Sequence, residues 1–254
     1  MSRGYLYIVA GGAHYFREAL ESIKSLKAVT PDAHVTVFLD RDFGDHGGLI
    51  DNLEIREMDT SERMYDGKVH HIADSPYDRT IFLDSDTYIL EPMTPLFDLL
   101  DTYDLAMVQA PGATRGTRRE DGTLIEGHNL YNCGLMAFKK STPTLKLFRR
   151  WNQLFDKQVP NTGFMIGYSQ RREQPAFALA SYESDANIYT LNHCWNVRVR
   201  GPAHLLGTPK MLHARLSEQD RDLVLELLRK RKGARTWDYQ QLKSAKLRRK
   251  KLGV

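Results

Sequence analysis

Carboxylates two residues apart at the end of a strand can share a divalent cation, and this chain offers that arrangement twice. "VTVFLDRDF" ends in Asp40 and Asp42, and "RTIFLDSDTYIL" carries Asp84 and Asp86. In extended backbone, residues i and i+2 project to the same side, so either pair can converge. A third pair, Asp220 and Asp222, sits in the helix-like "SEQDRDLVLELL", where residues two apart point away from each other. Arg41 separates the first pair, which runs into "FGDHGG", a loop poorly suited to holding an ion. Small Ser85 separates the second pair, whose flanks "IFL" and "YIL" give it a rigid support. Two carboxylates fixed in this way repel unless a cation joins them. Asp84 and Asp86 are therefore the pair better placed to hold a metal, the alternative being a solvated strand end, and the Ser85 hydroxyl can donate to a ligand.

The elements that must position them follow from periodicity. "GYLYIVA" (4–10) reads as a buried first strand, followed by Gly11 and Gly12. Ala19, Leu20, Ile23, Leu26 and Ala28 then recur at helical spacing until "TPD" stops them. "HVTVFLD" and "RTIFLD" are strands, and "TPLFDLL" starts a helix with Thr94 as N-cap and Pro95 at its first position. "DLAMVQA" and "GLMAFKK" make two more strands. Thr142-Pro143 opens a helix whose Leu145, Phe148, Trp151 and Phe155 form an apolar stripe. Strands alternating with helices predict an α/β fold with a mainly parallel central sheet flanked by helices. In such sheets ligands gather at the carboxyl ends of the strands, where the glycines and both Asp pairs fall. The "GGAH" turn has neither the Walker pattern nor G-x-G-x-x-G, so it is not a phosphate loop; its glycines let a flat ring approach the backbone.

Five blocks in order, from the first strand to residue 215, resemble glycosyltransferases of family 8, the glycogenin-like and galactosyltransferase-like enzymes. "YIVAGGAHYFREALESIKSL" is similar to that family's opening strand and helix. "GKVHHIADSPYDRTIFLDSDTYIL" is similar to its lysine-to-DxD block, with Lys68 sixteen residues before Asp84. "YNCGLMAFKKS" resembles its Asn-Ser-Gly strand, "REQPAFALA" its Asp-Gln block and "LNHCWNVR" its Leu-Pro…Tyr-Asn segment. The resemblance implies a GT-A-type, Rossmann-like nucleotide-diphospho-sugar transferase fold. It implies manganese or magnesium on Asp84 and Asp86, with donor contacts from Ala10, Gly11, His14, Tyr15, Lys68, Asp84 and Ser85. Asn132, Glu173 and Gln174 are the candidates that the resemblance implies for the sugar and acceptor pocket. A retaining reaction is implied, whereas in an inverting one Glu173 would be the natural general base. Asp40 is expected to line the nucleotide edge or to cap its strand. The family's Asp-Gln is Glu173-Gln174 here, and its polar base-binding residues are replaced by Gly12, Ala13 and His14. For the third metal ligand, His204 fits the family's His-x-x-Gly-x-x-Lys spacing, but "PKMLHAR" places His213 after a short apolar strand and is favoured. Arg215 is left to a phosphate or to water. A UDP-sugar is the expected donor, and a glycan, lipid-linked sugar or protein the acceptor.

Charge divides the chain unevenly. From Arg229 onward there are eleven Lys or Arg against Asp238 alone, so this end carries +10 within a net charge of +4. A catalytic domain over 1–228 and a basic tail over 229–254, helical or disordered, is the predicted division. If helical, the tail sets Trp237, Tyr239, Leu242 and Leu247 loosely on one side, suited to an anionic membrane surface. Nucleic acid is not an expected partner, because the acidic body has no recognition motif. No run approaches the ~20 apolar residues of a membrane span, and the start lacks a leader's cleavage pattern. With Cys133 and Cys194 the only cysteines, a cytoplasmic setting is expected. The rival readings are a haloacid-dehalogenase-type phosphatase, a nucleotidyltransferase and an inactive nucleotide-sugar sensor. The first expects Thr or Val four residues after its leading Asp, where this chain has Tyr88. The second expects a basic first loop, and "GGAHYF" has no base before Arg17.

Overall fold

Strand β1 (Arg3–Val9) is the axis of the sheet because both of its faces are apolar. Tyr5, Tyr7 and Val9 face one core and Leu6 the other, the alternation that a doubly covered strand requires. The structure, a computed structural model, describes residues 1–59, 66–110, 117–157, 173–229 and 233–252. After β1 come α1 (Ala13–Val29), β2 (Val35–Leu39) and β3 (Asn52–Ile55). They are followed by α2 (Asp66–His71), β4 (Arg79–Leu83), β5 (Thr87–Ile89), α3 (Pro95–Leu99) and β6 (Leu105–Gln109). A small hairpin of β7 (Thr117–Arg118) and β8 (Leu124–Ile125) leads to β9 (Tyr131–Lys139), α4 (Thr142–Asp156) and α5 (Glu173–Tyr182). The remainder is β10 (Ile188–Leu191), β11 (Val197–Arg198), β12 (Ala203–Leu205), β13 (Met211–His213), α6 (Glu218–Arg229), β14 (Arg235–Trp237) and α7 (Tyr239–Leu252).

The large sheet runs β10-β6-β9-β4-β1-β2-β3. Every pairing in it is parallel except those of β9, which lies antiparallel between β6 and β4. Among the described residues, the β7–β8 hairpin stands between β6 and β9, where a parallel return would need a crossover helix. Helices α1 and α3 cover one face, and α2, α4 and α5 the other. β9 also carries an irregularity. Met107 pairs with Met136 but Val108 pairs with Asn132, so Cys133, Gly134 and Leu135 bulge away from β6. The bulge holds an odd number of residues and reverses the facing of the strand. Tyr131 and Cys133 enter the same core as Met136 and Phe138.

Local chemistry departs from expectation in three places. Ser141, not Thr142, caps α4, its hydroxyl accepting from the Thr144 N–H, because Thr142 is already helical. Thr94 makes no side-chain cap to α3 because its own backbone is helical, although Pro95 takes the first position as predicted. Leu145 leaves the α4 stripe and is exposed; Phe148, Trp151 and Phe155 are buried with Leu147 and Leu154. None of the helices among the described residues is long and apolar enough to cross a membrane.

The basic end is built into the body. β14 pairs antiparallel with β12, Trp237 is 2% exposed, and its indole N–H donates to the Val199 carbonyl at 2.9 Å. Leu242 is equally buried, while Leu247 faces solvent. Lys246 and Arg249 reach Asp220 and Glu226 on α6. Trp237 and Leu242 thus belong to a third core with Val197, Leu212 and Val224, so the four aromatic and leucine side chains do not share one helical face. The basic run 230–232 lies outside the described residues. Trp237→Ala should lower stability by about 3–5 kcal/mol in urea unfolding, the usual cost of emptying a buried aromatic site. A segment standing free of the body would leave the midpoint unchanged.

Candidate active site

Asp84 and Asp86 occupy the turn where β4 leaves the large sheet and β5 enters a three-stranded one, β11-β13-β5. The Asp84 N–H donates to the Gly134 carbonyl at 3.0 Å, extending the β4–β9 ladder by one bond. The Thr87 hydroxyl donates to the Asp84 carbonyl at 2.8 Å and also meets the Ser22 hydroxyl at 2.7 Å, which in turn meets Tyr7 at 3.0 Å. Ser25, one turn on, accepts the Ile89 N–H at 2.8 Å. Two serines on the buried face of α1 therefore clamp β5 in place. They were not singled out from the sequence, where the available signal is two hydroxyls at i and i+3 within an apolar stripe.

His213 arrives by strand register. β13 pairs antiparallel with β5, His213 opposite Thr87, and the Ala214 N–H donates to the Asp86 carbonyl at 3.0 Å. Its Nε2 then lies 3.2 Å from Asp86 Oδ1 and 3.6 Å from Asp84 Oδ2, while Nδ1 lies 3.0 Å from the Asn196 carboxamide oxygen. One ligand atom from each of Asp84, Asp86 and His213 falls within 4.8 Å of the others. His204 is elsewhere: it is exposed on β12, and its N–H donates to His193 Nδ1. With Nδ1 donating to Asn196, Nε2 is the ring nitrogen that faces the two carboxylates. A cation shared there would join the three groups, and a hard divalent ion that accepts oxygen and imidazole fits the donor set.

Charge counting points the same way. Lys68 is 3% exposed, with its Nζ 3.0 Å from Asp84 Oδ1 and 3.7 Å from Glu173 Oε1. Burial opposes its charge, but Asp84 and Glu173 together outweigh burial and shift its ammonium pKa upward, so it stays protonated. Burial likewise pushes the Asp86 carboxyl up, but His213, with Arg215 and Arg198 further off, brings it well below the usual carboxylate range. Asp84 and Glu173 thus crowd one buried lysine, with Asp86 beside Asp84, surroundings that suit a cation. Glu173 opens α5, and its carbonyl accepts the indole N–H of fully buried Trp151 at 2.8 Å, tying it to α4. Burial, then Glu173, pushes the Cys133 thiol well up, so it is no nucleophile.

The remaining expected residues fall into two groups. Ala10 is buried, Gly11 and His14 are exposed, and Tyr15 is half-buried at the β1–α1 junction. Gly11 has φ 93°, a conformation that favours glycine, and its N–H donates to Asp40 at 3.3 Å. The Tyr15 ring lies tilted by 44° to His14, 3.7 Å between centroids, with the Arg215 guanidinium 5.0 Å from its centroid; Arg215 also pairs with Glu18 at 2.9 Å. Asp42 accepts the Gly44 N–H at 2.8 Å and serves its own loop. Asn132 is 2% exposed, and its carboxamide is turned inward to the Gly134 N–H and to Asn196. Ser85 is half-buried between the two Asp, and Gln174 is half-buried beside Glu173. Asn196 was absent from the expected set although it lies in the quoted "LNHCWNVR" block; a polar side chain between Trp195 and Val197 is its only mark.

Solved structures share this arrangement of sheet and helices. The glycosyltransferase GlyE of Streptococcus pneumoniae is matched with a TM-score of 0.56 and 16% identity, over 90% of this chain and 60% of that one. An active-site mutant of LgtC is matched at 0.53 and 13%, over 84% and 88%. Mouse xyloside xylosyltransferase 1 is matched at 0.51 and 12%, over 85% and 98%. The fold is that of the GT-A glycosyltransferases. No protein-family model and no curated protein sequence matches the chain. Within this GT-A fold, Gly134 is the tightest point of the site. A Cβ there would stand 2.0 Å from His213 Cε1 and 2.9 Å from Asp84 Oδ2. Gly134→Ala should displace His213 and weaken manganese binding at least about tenfold, read by calorimetry. Unchanged affinity would show that His213 is not a ligand.

Proposed function

We propose that this chain is a metal-dependent glycosyltransferase that moves a sugar from a nucleotide-diphosphate donor, a UDP-sugar being favoured, to a hydroxyl acceptor. The observation that carries the reading is the convergence of Asp84, Asp86 and His213 at the carboxyl edge of a GT-A sheet. Manganese or magnesium bound there supplies neutralisation of the charge that develops on the departing diphosphate. Lys68, kept charged beside Asp84, adds a fixed positive charge at the same edge. Tyr15 and His14 offer ring faces to the nucleobase next to Ala10 and Gly11, and Arg215 is close enough to Tyr15 to exchange Glu18 for a phosphate.

Glu173 and Gln174 are assigned to the sugar pocket. Glu173 is nearly buried and lies against Lys68, which suits stabilisation of an oxocarbenium-like state in a retaining transfer. The acceptor is a glycan, a lipid-linked sugar or a protein. The exposed Lys243, Arg248, Lys250 and Lys251 of α7 would favour an anionic membrane surface near a lipid-linked one, by about 1 kcal/mol per basic residue at the surface. The phosphatase alternative rested on Asp-x-Asp alone and gains nothing from this fold.

Calorimetric titration of UDP, GDP and ADP, with manganese and then with chelator, tests the proposal. One nucleotide should bind only with manganese; Asp86→Ala should abolish that binding and Asp42→Ala leave it intact. The reverse ranking of the two variants, or phosphatase activity with no nucleotide bound, would overturn the reading.

A further inference from the structure

The nitrogen of His213 that carries its proton is decided two residues away, at a backbone atom. The Gly134 N–H can only donate, and it donates to the Asn132 side chain at 3.0 Å, so the receiving atom is the carboxamide oxygen. That same oxygen meets the Asn196 side chain at 2.9 Å, and the atom facing an acceptor must be the amide nitrogen. The other end of the Asn196 amide is then its oxygen, and it faces His213 Nδ1 at 3.0 Å. Nδ1 must therefore bear hydrogen. We propose that Asn196 and Asn132 are positioning residues that hold His213 as its Nδ1–H tautomer, the Gly134 backbone N–H being the fixed end of the relay.

Burial keeps the relay in one sense. Asn132, Asn196 and His213 are 2%, 1% and 4% exposed, so water is poorly placed to replace a bond if one amide turns over. The β9 bulge makes the first bond possible. It frees Cys133, Gly134 and Leu135 from pairing with β6, so the Gly134 N–H can be taken by the side chain two residues earlier. Gly134 also accepts the Asp84 N–H, so a single residue sets the first carboxylate with its carbonyl and the imidazole with its amide. The opposite tautomer would aim a hydrogen from Nε2 at the place where Asp84 and Asp86 converge, blocking a cation. The consequence for a cation rests on the metal reading above; the tautomer itself does not.

Nitrogen-15 spectra of histidine-labelled, metal-free protein, taken above the pH at which the ring titrates, report the tautomer directly. The wild type should show His213 protonated at Nδ1. Asn132→Asp should match it, because a carboxylate oxygen accepts from both Gly134 and Asn196. Asn132→Leu should free the Asn196 amide to turn and yield a mixed or Nε2–H tautomer. Should that variant not fold, Asn132→Ala makes the same cut. Parallel manganese titrations should find Asn132→Asp within about twofold of wild type and the cut variants weaker by about tenfold. An Nε2–H wild type, or a cut variant with an unaltered tautomer, overturns the relay. A wild type that shows the expected tautomers but binds no manganese would sustain the relay and overturn the metal reading instead.

Discussion

Two carboxylates gathered within 4.8 Å of each other and of an imidazole repel each other, and partial burial strengthens the repulsion by removing water. The protein holds them together by spending backbone structure on each. Asp84 is fixed by the last bond of the β4–β9 ladder, Asp86 by its carbonyl against β13, and His213 by strand register. Lys68 answers part of the charge from inside, and what is left favours a cation. The rest of the fold can be read as the apparatus that keeps these mutually unfavourable groups from separating.

That apparatus reaches beyond the residues that would meet a ligand. Ser22 and Ser25 give up apolar burial on α1 to hold β5, a trade that makes sense only if the position of β5 matters more than the core contact. The bulge in β9 gives up ladder bonds to β6 and brings Gly134 against the His213 ring, where a methyl group would overlap it. Local irregularities of this kind cost stability and persist where the surrounding packing fixes them.

The Asp-x-Asp pair, its rigid apolar flanks and the alternation of strands with helices could be read in the sequence because each is a short-range pattern. Lys68 and Glu173 could be placed only by resemblance, since the fold brings them together across 105 residues of chain. Asn196 and the two α1 serines stayed silent. Their roles come from partners far along the chain, and a polar residue within an apolar run does not announce its partner. The packing of the basic end was hidden for a related reason. Counting charge emphasised Lys and Arg, whereas Trp237 and Leu242 decide where the segment packs. Capping at Ser141 rather than Thr142 is a smaller case of two adjacent hydroxyls competing for one role, settled by where the backbone turns helical.

The third core couples the site to a segment outside it. His213 stands on β13, and Leu212 beside it packs in one cluster with Trp237 of β14 and Leu242 of α7. The register that presents the imidazole to Asp84 and Asp86 therefore leans on that packing. β14 and α7 thus work as a keystone, bearing on the carboxylates only through the strand between.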